Sequence, residues 1–132
     1  MGHKTRTEIV IHIYQLLREA HIVSNVYHED TLPRKARWSN PLAVIRHTAG
    51  TEGDIQEGVV TILFYVPTML HTTGARMADL DSVSYIEQGI HRWTESLTAS
   101  DYLLTVRETP SLHYDEELQM HFISLRLHYK HF

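Results

Sequence analysis

The chain has 132 residues and a mass of 15.4 kDa, close to the commonest size of a single domain, and 42% hydrophobic residues suffice for one modest core. Twelve Lys and Arg against sixteen Asp and Glu give a net charge of -4, which argues against a general electrostatic grip on nucleic acid. The absence of cysteine excludes a disulfide scaffold and a thiolate metal site. The start, MGHKTRTEIV, lacks the apolar centre of a signal peptide, and the longest apolar run falls short of the about 18 residues a membrane helix requires. The expectation is one soluble, intracellular domain over residues 1–132, without membrane partners.

In chain order, Thr5 to Ala20 reads as a first helix: Ile9, Ile13, Leu16 and Ala20 recur at helical spacing, and Val10 and Leu17 widen the stripe. Thr5 with Glu8 three residues on fits a capping box. His21 to Tyr27 can hold a short strand. The polar stretch His28 to Asn40 carries Arg34, Lys35 and Arg37 beside Trp38, and Pro33 and Pro41 oppose regular helix, so it reads as a long loop.

Leu42 to Thr48 alternates weakly. Val59 to Pro67, VVTILFYVP, is apolar on both alternating faces, with Val60, Ile62, Phe64 and Val66 on one side and Val59, Leu63 and Tyr65 on the other. Such a strand must be covered twice. The two strands flank TAGTEGDIQEG, whose glycines mark the turn of an antiparallel hairpin. Thr68 to Ala78 lacks a period and reads as an irregular connection.

A second helix is marked by Leu80, Val83, Ile86, Ile90, Trp93 and Leu97, with Asp79 or Asp81 as its cap. Tyr102 to Glu108 and Leu118 to Tyr129 read as closing strands joined by TPSLHYDEE. The last strand changes phase. Leu118, Met120 and Phe122 share one face, whereas Ile123, Leu125, Leu127 and Tyr129 share the other. Either a bulge at Phe122 and Ile123 resets the register, or the strand is buried on different faces along its length; the second is favoured, with a neighbouring subunit covering the outer half. The fold class expected is α+β: a mixed, mainly antiparallel sheet of about four to five strands with two helices on one face.

Motifs for chemistry are sparse. Eleven histidines include His28, His47, His71, His91, His113, His121, His128 and His131, yet no HExxH, HxH or paired-Asp pattern gathers them, and structural or surface roles explain them more simply. No serine lies in a GxSxG turn, and TAGTEGD lacks the lysine and following helix of a phosphate-binding loop. Glu116 with Glu117, and Asp79 with Asp81, are explained by a hairpin tip and a helix cap. Hence no catalytic residue, metal ligand or cofactor is expected. The loop residues Arg34, Lys35, Arg37 and Trp38 suit phosphate gripping and base stacking, or the rim of a protein docking surface; net negative charge favours docking.

The order of elements, with PLAVIRHTAG and GVVTILFYVP as first and middle strands and DLDSVSYIEQGIHRWTESL as second helix, resembles the tail terminator, or tail completion, proteins of long-tailed bacteriophages. The similarity is one of layout and length over nearly the whole chain. It implies a homo-oligomeric ring, typically a hexamer, at the head-proximal end of the virion tail, made in the host cytoplasm. Such a ring caps the tail tube protein and meets the head-tail connector protein, while genome DNA passes through the lumen without sequence-specific binding. On that reading Val59, Leu63, Tyr65, Leu125, Leu127 and Tyr129 make ring contacts, and Arg34, Lys35, Arg37 and Trp38 meet the tube or connector. A stopper or neck component of the same connector, or a small histidine-dependent metal enzyme, are the alternatives.

Overall fold

The computed structural model describes residues 6–28, 41–51, 56–70, 73–74, 76–97, 102–106 and 108–131. In order the elements are α1 (Arg6–Ala20), β1 (Asn25–His28), β2 (Leu42–Thr51), β3 (Gln56–Val66), β4 (Thr68–Leu70), β5 (Arg76–Ala78), α2 (Leu80–Ser96), β6 (Tyr102–Val106), β7 (Ser111–Asp115) and β8 (Met120–His131). The class is α+β. A six-stranded mixed sheet has the order β1-β2-β3-β8-β6, with β7 also paired to β8, and β4 and β5 form a separate two-stranded ribbon.

α1 forms where the apolar stripe was read: Ile9, Val10, Ile13 and Leu17 are buried, while Leu16 and Ala20 lie at its margin. The expected capping box rests on Thr5, outside the described residues. α2 begins as its sequence requires. The Asp79 carboxylate accepts from the Asp81 amide at 3.2 Å and from the Ser82 hydroxyl at 2.9 Å, satisfying donors the first turn leaves unpaired. Val83, Ile86, Ile90 and Trp93 form its buried stripe, and Gly89 permits close approach, since a Cβ there would stand 3.1 Å from Ile22 Cγ2.

The main core lies between both helices and one face of the sheet, where Ala43 and Ile45 of β2, the even residues of β3 from Val60 to Val66, and Ile123, Leu125, Leu127 and Tyr129 of β8 meet. Leu42, Val44, Leu63, Tyr65 and Met120 form a second cluster, flanked by Tyr27, Leu118 and Phe122. Both apolar faces of β3 are thus covered within one chain.

Four expectations are corrected or refined. β1 pairs parallel to β2 over Asn25–His28 rather than starting at His21, which makes the sheet mixed and raises its strand count. Thr68 to Ala78 is a ribbon in which Met69 faces Met77, not an irregular connection; it is closed by the Asp79 amide donating to the Pro67 carbonyl at 3.2 Å. The TPSLHYDEE connection contains β7, so two strands share one edge of β8: β7 pairs with its first half and β6 with its second. The pairing of β3 with β8 runs unbroken from Val66 opposite His121 to Gln56 opposite His131, so there is no bulge at Phe122 and Ile123. The phase change arises because β8 is buried on different faces along its length, as favoured, but by the chain's own residues. The register shift of the sheet lies in β2, between His47 and Ala49.

Candidate interaction surfaces

The residues expected to touch neighbouring subunits are placed by the register of β3 and β8. Leu63 is 8% exposed and Tyr65 5%, while Leu125 and Leu127 are 0% and Tyr129 3%. β8 is flanked by β3 on one side and β6 and β7 on the other, so its residues Leu125, Leu127 and Tyr129 point at the helices and fill the main core. Leu63 and Tyr65 belong to the second cluster. Their expected outward exposure is therefore corrected: the second face of β3 is small enough for strand side chains to cover one another. Val59 is half-buried and retains an exposed portion. The loop residues Arg34, Lys35, Arg37 and Trp38 lie outside the described residues.

Around that second cluster the contacts are specific. The Tyr65 ring tilts against Phe122 with centroids 5.5 Å apart, and His113 stacks on the same Phe122 at 5.3 Å. Burial first, then the charge of Asp115 and a hydrogen bond to its carboxylate, raises the Tyr65 phenol above its ordinary range, while Arg46 pulls it partly back. Further along the same face polar groups take over: Arg46 and Arg126 are exposed, and Lys130 pairs with Glu57 at 3.3 Å. These solvated pairs contribute little to stability.

The histidines do not converge. His47 spans the main core, its Nε2 hydrogen-bonded to the Tyr129 hydroxyl at 2.7 Å. His91 pairs with Glu95 on the surface of α2. His121 lies 4.8 Å from the Tyr114 ring, and burial lowers its pKa. Among the described residues no group of three His, Asp or Glu has metal-binding geometry. The Ser111 hydroxyl lies 2.7 Å from His113 Nε2, a nucleophile beside a base. The carboxylate two residues on is engaged elsewhere: Asp115 accepts from the Leu118 amide at 3.0 Å and from Tyr65, and so does not orient His113. The pair stands on an exposed strand without the third group that a nucleophilic site requires. Among the described residues no helix is long and apolar enough to cross a membrane.

What remains accessible is apolar surface at the margins. On the β4–β5 ribbon Met69 is 54% exposed and its cross-strand partner Met77 39%, with Leu80 63% exposed just beyond. At the β6 and β7 edge Val106, Leu112 and Tyr114 are exposed. There a groove of about 430 Å³ opens between α2 and the segment after β6, with Ile90, Val106, Pro110 and Leu125 in its lining and Glu87, His91 and Glu108 among its polar groups. The opposite edge of the sheet is β1, with α1 packed over β1 and β2. Edge strands present unpaired backbone groups, which makes them templates for association. The sequence reading located none of these margins, because they follow from strand order; the exposed methionines alternating on a short Thr68–Leu70 and Arg76–Ala78 pattern were its one available signal. Comparison of the chain with protein families and with curated proteins finds no match.

Proposed function

We propose that the chain is a structural subunit that assembles into a ring at the head-proximal end of a long-tailed bacteriophage tail, between the tail tube and the head connector. The reading is supported by the order of elements: a helix, a short strand, two long antiparallel strands, a two-stranded ribbon, a second helix and a closing β region, which resembles the layout of tail completion proteins. The observation that carries it is the strand order β1-β2-β3-β8-β6, which leaves a strand at each side of the sheet bonded on one edge alone among the described residues. A closed ring needs two different, mutually complementary surfaces per subunit, and the two sides of such a sheet supply them. The contacts do not come from Leu63, Tyr65, Leu125, Leu127 or Tyr129, which the subunit's own core consumes.

The role is assembly, not catalysis. Exposed Met69, Met77 and Leu80 on the β4–β5 ribbon give a further apolar surface suited to a protein neighbour such as tube or connector. The test is negative-stain imaging of the purified chain alone and mixed with tail tubes lacking their terminal ring. Closed rings of about six subunits, seated on one end of the tube, are expected. Particles that never exceed one subunit, alone or with tubes, would refute the reading.

A further inference from the structure

Strand β7 is open on one side. Among the described residues Ser111–Asp115 is bonded to β8 along one edge and to no other strand, and its first four residues are exposed. An open edge is a row of unpaired amides and carbonyls, ready to take a further strand. Register fixes what each side of that edge offers. Leu112 lies opposite Ile123 and Tyr114 opposite His121, so both side chains stand on the helix-covered side, where with Val106 they form exposed apolar surface near the groove along α2. Ser111 and His113 make the other side polar.

The surroundings are acidic. Residues 80–97 and 108–119, which supply α2, β7 and the turn into β8, hold seven Asp and Glu against Arg92 alone. Glu87 and Glu108 border the groove, and Glu116 and Glu117 stand exposed at the turn that follows β7. Arg126, 3.7 Å from Glu108, is itself exposed, so that pair is weak. Such an edge repels an acidic strand and attracts a cationic one. No described strand of this chain with an open edge alternates Lys or Arg with apolar residues: β1 and β6 contain neither cation, the open half of β2 and the three-residue β5 contain one each, and β8, with Arg126 and Lys130, is flanked on both edges.

From the open edge, its apolar side chains and its acidic surroundings, we infer that β7 accepts, as a further strand, an extended segment of a different protein in which Lys or Arg alternates with apolar residues. The apolar side chains of that segment pack on Leu112 and Tyr114, while its cations stand on the Ser111 and His113 side and reach Glu116 and Glu117. Main-chain bonds supply affinity, and the acidic surroundings supply selectivity. The turn that follows β7 also holds the β4–β5 ribbon, the Thr68 hydroxyl donating to the Gln119 carbonyl at 3.1 Å. Edge and ribbon thus meet at one end of the subunit. The inference rests on the ring reading for its setting alone, and it gives the chemistry of the neighbour, tube or connector, that touches this end.

The experiment titrates the isotopically labelled full chain with three capped peptides of about seven residues. One alternates lysine with valine, one replaces its lysines by glutamate, and one keeps the composition of the first with the lysines in a block. The alternating lysine peptide should bind about tenfold more tightly than either control and lose its advantage over the glutamate peptide as salt rises. It should also slow the exchange of the β7 amides and shift the resonances of Leu112 and Tyr114. Glu116→Gln with Glu117→Gln, at exposed turn positions and with the fold checked by circular dichroism, should narrow the preference for lysine over glutamate to about threefold. Equal binding of the lysine and glutamate peptides, equal binding of the alternating and block peptides, or binding that leaves the β7 amides unprotected overturns the inference. Protection of those amides that grows with the chain's own concentration, without peptide, overturns it as well, because the added strand then comes from a second copy. Rings that form on tube ends while the lysine peptide fails to bind overturn the edge assignment alone. Peptide binding by a chain that never forms rings refutes the ring reading and leaves the edge assignment standing.

Discussion

The two faces of β3 carry similar apolar sequences and do different work. Val60, Ile62, Phe64 and Val66 enter a core closed by two helices and three strands, and all are 0% exposed. Leu63 and Tyr65, one residue away in each case, enter a cluster of five buried residues made from strand side chains, with Asp115 bonding the Tyr65 hydroxyl. The difference teaches that a two-faced apolar strand does not by itself imply a partner: cross-strand neighbours at about 5 Å spacing can shield a narrow second face. Surface for association must then be sought where strand order leaves it, at the sheet margins.

The sharpest way to break this comparison is to truncate neighbouring residues of β3. Phe64→Ala empties the largest fully buried side-chain site of the main core and should cost about 3–5 kcal/mol, measured by urea unfolding. Leu63→Ala, in the thinner cluster, should cost about 2–3 kcal/mol, at the low end for a buried leucine. Its association, measured under conditions where the variant is folded, should equal that of the wild type. Loss of association with unchanged stability at Leu63 would return that residue to an interface and undo the contrast between the faces.

How much of this was legible in the chain itself depends on the range of the interactions involved. α2 was readable because its determinants are local: a stripe spaced by three and four residues and a cap at Asp79. The two faces of β3 were readable for the same reason. β7 was not, although Ser111–Asp115 alternates polar with apolar as a strand should: five residues between Pro110 and a run of carboxylates, exposed over most of their length, read as part of a connection and become a strand through pairing with β8. β1 was displaced by several residues because its position is set by the parallel register Asn25 opposite Leu42, a nonlocal contact. The candidate interface failed twice: Leu63 and Tyr65 face away from the main core but are covered by the chain's own second cluster, and the end of β8 faces inward. Leu125, Leu127 and Tyr129 were assigned an outer face although they alternate in phase with an inner one, and only the pairing of β8 with β3 says which side the helices occupy.

A smaller effect tests how the helix-covered face tolerates polarity. The Tyr129 hydroxyl joins His47 across β2 and β8 at 2.7 Å, a buried polar link among apolar neighbours. Tyr129→Phe retains the ring and deletes the bond, leaving the His47 Nε2 atom to lose its Tyr129 contact. The expected cost is about 1–2 kcal/mol in denaturant unfolding. A neutral or stabilising result would mean that this bond does no more than match the solvation both groups lose, and that packing alone orders this part of the core.

The smallest expected effect concerns the end of the same face, where the helices no longer cover β8. His121 sits against Tyr114 with its pKa lowered by burial. The sign follows from proton counting: the unfolded chain takes up a proton near pH 6.5, while the folded chain resists it until lower pH, so stability is lost as pH falls through that window. His121→Gln should remove this component, flattening the stability profile below about pH 6.5 without altering it at pH 8. Partial exposure keeps the effect small, because solvent screens a charge at this margin better than it would beside Phe64. A His121 variant that retains the full acid-side slope would place the responsible proton elsewhere, and would mean that the sheet margin at β7 is as well hydrated as the polar half of the opposite face.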